Sequence, residues 1–172
     1  IYDRICRFNR MKAEALAEAG VDVLQIAGDI AMEHRLIMSP NLWRRFDKPK
    51  LAELIRQVRE VKPDICIGIH SDGKLTDIIP DLVEIGIDFL NPVEPECMNP
   101  FELKKKWGDR LLIYGGVSHR LLTAGKPGVI RARVRELVDT CGRNGGLIVG
   151  PTNAILPETP LENVVALYRA VS

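Results

Sequence analysis

Ile65-Cys66-Ile67-Gly68-Ile69-His70-Ser71-Asp72-Gly73 is the most informative stretch of this 172-residue sequence. It begins as an apolar run rich in β-branched side chains, which is typical of a strand buried in a parallel sheet. It ends in His, Ser, Asp and Gly. A buried strand that turns polar only at its end delivers side chains to one edge of a sheet. In parallel α/β proteins that edge is where ligands bind.

Similar apolar runs recur along the chain and alternate with helical patterns. The predicted strands are Val21–Ala27, Ile65–Ile69, Ile87–Val93, Leu111–Tyr114 and Leu147–Val149. The predicted helices are Tyr2–Ala19, Pro40 to about Val61 with a kink or break near Pro49, Leu75–Ile85, Pro100–Trp107, Val129–Cys141 and Leu161–Val171. Ser39, Asn99 and Thr159 precede three of these helices and are expected to cap them.

Alternation of this kind predicts parallel strands joined by right-handed crossovers. Repeated βα units favour a barrel, although a doubly wound sheet gives the same alternation. We therefore predict an α/β chain that forms the C-terminal part, about five βα units, of a (β/α)8 TIM barrel. Because eight strands take about 250 residues, we expect residues 1–172 to be a single partial barrel domain that lacks the N-terminal part of the fold. Its open strand edges would be covered by further chain or by a partner, a homo-oligomer included.

The composition excludes several classes of partner. Hydrophobic residues make up 46% of the chain, charged residues 27%, and the net charge is +1. These values imply neither nucleic acid nor an anionic membrane surface. No apolar run approaches the roughly 18 residues of a membrane helix, and no secretion signal is visible. The four scattered cysteines predict no disulfide framework and fit a reducing cytoplasm, with Cys66 expected in the core.

The polar ends of the first two predicted strands hold the main catalytic candidates. His70 suits proton transfer or metal ligation, or it is a structural histidine bonded to a backbone carbonyl. Asp72 shares a face with His70 if the strand continues, or it caps a helix that starts near Lys74. Asp29 follows Gly28 at a strand end and belongs either to the site or to a turn or helix cap.

The remaining strand ends offer further polar groups. Glu94 and Glu96 could bind a cation or substrate, or be solvated loop acids. Ser118, with His119 beside it, and Asn153 are candidate substrate contacts, while Asn153 could instead serve its own turn.

Local motifs leave the chemistry open. His34 lies among charged residues and is expected at the surface. His70-x-Asp72 alone is a weak metal signal, since a metal site needs about three ligands. The sequence contains no phosphate loop, nucleotide fingerprint or serine nucleophile elbow.

Several segments, taken together in order, match one family. They are Val23–Ile26 with Ser39-Pro40, His70-Ser71-Asp72-Gly73, Ile79–Asp88, Asn91-Pro92-Val93, Gly115-Gly116-Val117, and Gly146 through the tail Leu156–Asn163. With these segments the chain resembles the C-terminal half of the uroporphyrinogen decarboxylase (URO-D) superfamily. The resemblance implies a (β/α)8 barrel with its active site at the C-terminal mouth.

The resemblance implies one of two chemistries. One branch decarboxylates the acetate side chains of uroporphyrinogen, a tetrapyrrole, without metal or cofactor. The other branch moves methyl groups between a substrate, a corrinoid protein and a thiol, usually with zinc. The segments Gly28-Asp29, Ser39-Pro40, His70–Gly73 and Asn91–Glu96 look more like the methyltransferase branch.

The sequence departs from the zinc pattern of that branch. Thiol-activating members carry His-x-Cys where this chain has His70-Ser71-Asp72, and a second Cys where Asn153 stands. His70 therefore transfers to the zinc motif, but both sulfur ligands are missing, and Cys97 lies in a different loop.

On this resemblance we expect an enzyme that acts on a small-molecule substrate, with corrinoid-linked methyl transfer as the leading function. His70 is expected to act as general acid/base or ligand, Asp72 and Asp29 to orient groups or bind a cation, and Glu94, Ser118 and Asn153 to contact substrate. The alternatives are decarboxylation of uroporphyrinogen and a non-catalytic barrel that binds a corrinoid protein.

Overall fold

The structure, a computed structural model, describes residues 1–171 and contains five strands that alternate with helices. The strands are β1 (Val23–Ala27), β2 (Cys66–His70), β3 (Phe89–Val93), β4 (Leu112–Val117) and β5 (Leu147–Pro151). The helices are α1 (Tyr2–Glu18), α2 (Pro40–Val61), α3 (Ile79–Glu84), α4 (Pro100–Trp107), α5 (His119–Ala124), α6 (Pro127–Leu137) and α7 (Leu161–Arg169). A single π-helical turn, Val138–Gly142, extends α6.

All neighbouring strands pair in parallel, and their spatial order is the order along the chain, β1-β2-β3-β4-β5. A doubly wound sheet reverses its strand order at a switch point, whereas a barrel adds each strand beside the last. The sequential order therefore confirms the prediction of part of a (β/α) barrel over its doubly wound alternative.

The two faces of the sheet differ in character. One face presents buried aliphatic side chains such as Leu24, Ile67 and Ile113, which pack against the helices in the hydrophobic core. On the other face, strand register places His70 opposite Ala27 of β1 and Asn91 of β3. The side chains of His70 and Asn91 therefore lie together on the concave face of the sheet, at the carboxyl end of β2.

Most predicted elements are present, and two of the predicted helix caps are confirmed. The hydroxyl of Ser39 accepts a hydrogen bond from the backbone N–H of Leu42, at 3.3 Å. The amide oxygen of Asn99 accepts from the N–H groups of Phe101 and Glu102. The second helix runs unbroken through Pro49 from Pro40 to Val61.

Other local predictions were wrong. Thr159 does not cap α7, because Pro160 occupies the N-cap position with extended backbone and no side-chain cap bond. The helix predicted over Leu75–Ile85 is formed only from Ile79 to Glu84, since the segment before it is turn. Cys66 is half-buried rather than fully buried, because it lies on the concave face. The short helix α5 was not predicted.

Candidate active site

His70 stands at the end of β2 and is oriented by a neighbour on the next strand. Its Nδ1 lies 2.6 Å from the side-chain oxygen of Asn91, its in-register partner on β3. Because an amide oxygen can only accept, Nδ1 carries the proton in the neutral ring and Nε2 has the free lone pair. His70 is therefore not bonded to a backbone carbonyl, and its Nε2 is available for chemistry.

Asp29 and Asp72 lie beside His70 and are held in place by one another. The backbone N–H of Asp72 donates to Oδ1 of Asp29 at 3.0 Å, which joins the ends of β1 and β2. The side-chain amide of Asn153, after β5, donates to Oδ2 of Asp72 at 3.2 Å. Asp72 does not cap a helix near Lys74, because the segment that follows it is not helical. Four of the predicted residues, which follow three different strands, therefore meet at one place.

The environment of Asp72 disfavours its charged form. Burial is the main cause that raises the pKa of this carboxyl, followed by the negative charges of Glu94 and Asp29. Its Oδ1 is buried and has no hydrogen-bond partner. A carboxyl group with a raised pKa beside an imidazole can hold or release a proton, and it can also attract a cation.

Two cavities meet at Asp72. The larger, of about 250 Å³, is lined by His70, Asp72, Asn91, Pro92, Tyr114, Pro151, Thr152, Asn153 and Ala154. The smaller, of about 140 Å³, is lined by Ala31, Met32, Glu33, Asp72, Gly73, Glu94, Glu96, Cys97, His119 and Arg120. The first is the natural place for a reacting group, because the His70 ring borders it.

Glu94 is half-buried at the smaller cavity and accepts a hydrogen bond from the loop that carries Asp72. Its Oε2 accepts from the backbone N–H of Gly73 at 2.7 Å and from the thiol of Cys97 at 3.4 Å. Burial, followed by the charge and the hydrogen bond of Glu94, raises the pKa of the Cys97 thiol to about 12. Cys97 is therefore a neutral thiol near physiological pH.

Ser118 and His119 lie at the end of β4. The buried hydroxyl of Ser118 donates to Oε1 of Glu96 and accepts from the backbone N–H groups of Arg120 and Leu121. It thereby caps α5, and its substrate contact stays a prediction. His119 borders the smaller cavity, and its buried Nδ1 has no partner.

Two site residues were missed, and one further prediction is confirmed. Asn91 and Tyr114 line the larger cavity. A polar residue inside the otherwise apolar run of β3 was the available signal for Asn91, but its pairing with His70 required the register between strands. His34 is exposed, as predicted.

The zinc set of thiol-activating relatives does not fit the residues present. The positions that the resemblance gives to sulfur hold Asp72 and Asn153. Among residues 1–171, no cysteine lines the cavity that contains His70. A thiolate-bound zinc is therefore not supported at this site.

The sequential parallel sheet and the polar cluster at its carboxyl edge define a class, the enzymes built on a (β/α) barrel. The sequence matches the family model "Uroporphyrinogen decarboxylase (URO-D)" over residues 1–172, and the chain belongs to this family.

The relatives of this chain include both a methyltransferase and a decarboxylase. The chain is 32% identical over 160 residues to a methylcobamide:CoM methyltransferase, MtaA, of Methanosarcina barkeri, covering 92% of this chain and 43% of that protein. It is also 32% identical over 155 residues to a uroporphyrinogen decarboxylase of Thermus thermophilus, covering 87% of this chain and 41% of that protein.

A solved structure is similar as well. A methyltransferase from Methanosarcina mazei superimposes with a TM-score of 0.74 at 30% identity, over 96% of this chain and 46% of that one. The chain therefore spans less than half the length of these relatives. Within the described residues, no helix has the length and apolar character required to cross a membrane.

Proposed function

We propose that this chain carries the active-site half of a corrinoid-linked methyltransferase, with the reaction centred on His70, Asp72 and Asp29. A small-molecule methyl donor or acceptor would enter the larger cavity, and a corrinoid protein would be the partner. The similarity to MtaA and to the methyltransferase from Methanosarcina mazei supports this branch.

The charge of the mouth is the observation that carries the proposal. Asp72, Glu33, Glu94 and Glu96 line the two cavities, while Arg120 is the one Lys or Arg among their lining residues within 1–171. Two carboxylates about 4 Å apart repel by about 1–4 kcal/mol in solvated protein. A substrate whose acetate side chains must enter this mouth, as in uroporphyrinogen decarboxylation, would meet that repulsion.

Methyl transfer to a thiol, amine or alcohol requires that the acceptor atom lose its proton. A corrinoid would supply the methyl group and keep the electron pair of the broken carbon–cobalt bond. As the acceptor heteroatom forms its bond to carbon, it loses a proton, and the unprotonated Nε2 of His70 is placed to take it. The hydrogen bond to Asn91 orients the ring and leaves Nε2 as the acceptor of the neutral imidazole. In the reverse direction His70 returns the proton to the leaving heteroatom.

The experiment is a methyl-transfer assay on the protein that contains this chain, with methylcobalamin as donor and a panel of thiols, amines and alcohols as acceptors. Loss of the methylcobalamin absorbance measures turnover. We expect His70→Ala to lower the rate by about 100-fold or more, while the exposed control His34→Ala retains it. Full activity of His70→Ala would refute the proposal.

Decarboxylation is the second candidate, because the decarboxylase of Thermus thermophilus is as similar in sequence as MtaA. Its test is CO2 release from uroporphyrinogen by the same preparation. Release of CO2 without methyl transfer would reverse the order of the two candidates. A stable complex with a corrinoid protein and neither activity would indicate a binding barrel.

A further inference from the structure

We propose that Tyr114 binds the substrate and makes the larger cavity selective for an oxygen atom, in an alcohol or its methyl ether, over sulfur. The inference deepens the proposed function and rests on it for the choice of cavity. Binding of an alcohol can be measured without a corrinoid and without turnover, so the two ideas fail separately.

Strand register places Tyr114 beside Asn91, two strands away from His70. His70 pairs with Asn91 across β2 and β3. On the next pair of strands Leu90 lies opposite Ile113, and the residue after Ile113 is Tyr114. Adjacent strands are about 4.8 Å apart, so the backbones of His70 and Tyr114 are separated by about 10 Å. Because both side chains border the larger cavity, an atom of a small ligand can lie between the imidazole and the phenol.

The ring of Tyr114 is positioned by Gly150 on β5. A Cβ at Gly150 would lie 3.2 Å from Cε2 of the ring, which is closer than ordinary van der Waals contact. The missing side chain at Gly150 therefore leaves room for the ring to lie against the backbone of β5. The phenol is supported on that side and borders the cavity with the rest of its surface.

The hydroxyl of Tyr114 is available to a ligand. A half-buried tyrosine normally directs its hydroxyl to a hydrogen-bond partner, as Tyr2 does by donating to Asp47. Between residues 1 and 171 the hydroxyl of Tyr114 has no such partner, and it is not a buried atom. A group that enters the cavity can supply the missing hydrogen bond.

The walls of the larger cavity suit a molecule with an apolar body and one polar atom. Apolar surface comes from the Tyr114 ring, Pro92, Pro151 and Ala154, and polar groups come from His70, Asp72, Asn91, Thr152 and Asn153. The volume of about 250 Å³ exceeds the roughly 150 Å³ of a cavity that holds benzene. A compound of the size of benzyl alcohol is therefore an appropriate probe.

The two polar groups that face each other in this cavity favour oxygen. A hydroxyl group can donate its proton to Nε2 of His70 and accept from the phenol of Tyr114 at the same time. A thiol is a weak donor and a weak acceptor, and a protonated amine has no lone pair to accept. When the oxygen bonds to the methyl carbon, its proton passes to Nε2. The phenol keeps its own proton, and its hydrogen bond stabilises the charge that develops on oxygen.

The experiment compares two probes that differ in one atom, benzyl alcohol and phenylmethanethiol. Ligand-observed NMR gives their dissociation constants for the corrinoid-free protein that contains this chain. We expect Tyr114→Phe, which removes only the hydroxyl, to weaken binding of the alcohol by about 3–10-fold. Binding of the thiol should weaken by less than about twofold. The matched control is Tyr168→Phe on α7, where the side chain is 60% exposed, and it should change neither constant.

A second measurement keeps the test valid if Tyr114→Phe does not fold. The chain has three tyrosines, so a ¹³C label at Cζ gives three resonances, and Tyr2→Phe and Tyr168→Phe assign that of Tyr114 by elimination. Benzyl alcohol should shift this resonance more than the thiol does.

Three results would overturn the inference. They are the absence of saturable binding of benzyl alcohol, alcohol binding that Tyr114→Phe leaves unchanged, and equal losses for both probes, which would mean that the ring has only a structural role. A loss confined to the alcohol supports the inference even where no methyl transfer is detected, because that outcome would refute the proposed function alone.

Discussion

The thiol of Cys97 provides a quantitative test of the electrostatics at the candidate active site. Its pKa is raised from 9.0 to about 12 by burial and by Glu94, whose Oε2 accepts from the thiol at 3.4 Å. At pH 8, a thiol with its ordinary pKa is about 9% thiolate, whereas one with a pKa near 12 is about 0.01% thiolate. Because the thiolate is the reactive form, Cys97 should be alkylated up to about 1,000-fold more slowly than an unperturbed thiol.

The perturbation is Glu94→Gln, which removes the charge and keeps the shape of the side chain. Burial is the larger cause of the raised pKa and remains, so we expect a partial recovery, about tenfold faster alkylation of Cys97. Iodoacetamide labelling followed by peptide mass spectrometry measures the rate at each cysteine.

Cys66 serves as the internal control. Its pKa is raised by burial and by Asp88, which Glu94→Gln does not change. Labelling in denaturant gives the alkylation rate of each thiol in the unfolded chain. The reasoning fails if native Cys97 reacts as fast as it does in denaturant, or if Glu94→Gln leaves its rate unchanged.

Three further substitutions test the fold around the site. The side chain of Asp81 is only 7% exposed. Its pKa is lowered first by a hydrogen bond from an arginine of α2 and also by a lysine of that helix. Asp81→Asn should therefore lower the free energy of unfolding by about 2 kcal/mol. Because the folded-state pKa is the lower one, this stabilisation is present above about pH 4 and disappears as the pH falls through the folded-state value, so thermal melts of wild type and variant should converge in acid. Gly68→Ala would place a Cβ 2.1 Å from the ring of Phe89, and should cost about 2 kcal/mol or more in a urea titration. Gly73→Ala adds a Cβ 2.5 Å from the carbonyl oxygen of Met32 at a φ of +88°, and should lower methyl-transfer activity by displacing the loop of the site.

Gly128→Ala is the matched control for both glycine substitutions. A Cβ at Gly128 meets nothing within 4 Å. Its unfolding free energy and activity should stay close to those of the wild type. An equal loss of stability in Gly128→Ala and Gly68→Ala would show that contact with Phe89 is not the cause.

The sequence predicts the fold well because parallel α/β chains encode it locally. Each strand is a short apolar run, and each run ends in polar residues or glycine, so the alternation and the active edge can both be inferred without coordinates. The convergence of Asp29, His70, Asp72 and Asn153 follows from the topology alone, since carboxyl ends of parallel strands lie at the same edge.

The partners within the site could not be inferred in this way. The bond between His70 and Asn91 depends on the register of β2 against β3, which no local pattern sets. Ser118 is a polar residue at a strand end, but its hydroxyl caps the six-residue helix α5, which is too short to show a periodic pattern. Register and short helices are determined by tertiary packing, and these features account for what was missed.

The two roles considered for His70 exclude one another at any one time. A lone pair on Nε2 that binds a metal ion cannot accept a proton from the methyl acceptor, so the metal would have to activate the acceptor in its place. Removing metal with a chelator separates the cases. If His70 acts as a base, the stripped protein should keep its methyl-transfer rate. If His70 is a ligand, the rate should fall and return on addition of a divalent metal ion, and Asp29→Asn, which leaves the imidazole intact, should require more of that ion to recover. Full activity of stripped Asp29→Asn protein would assign His70 to proton transfer and leave the carboxylates an electrostatic role.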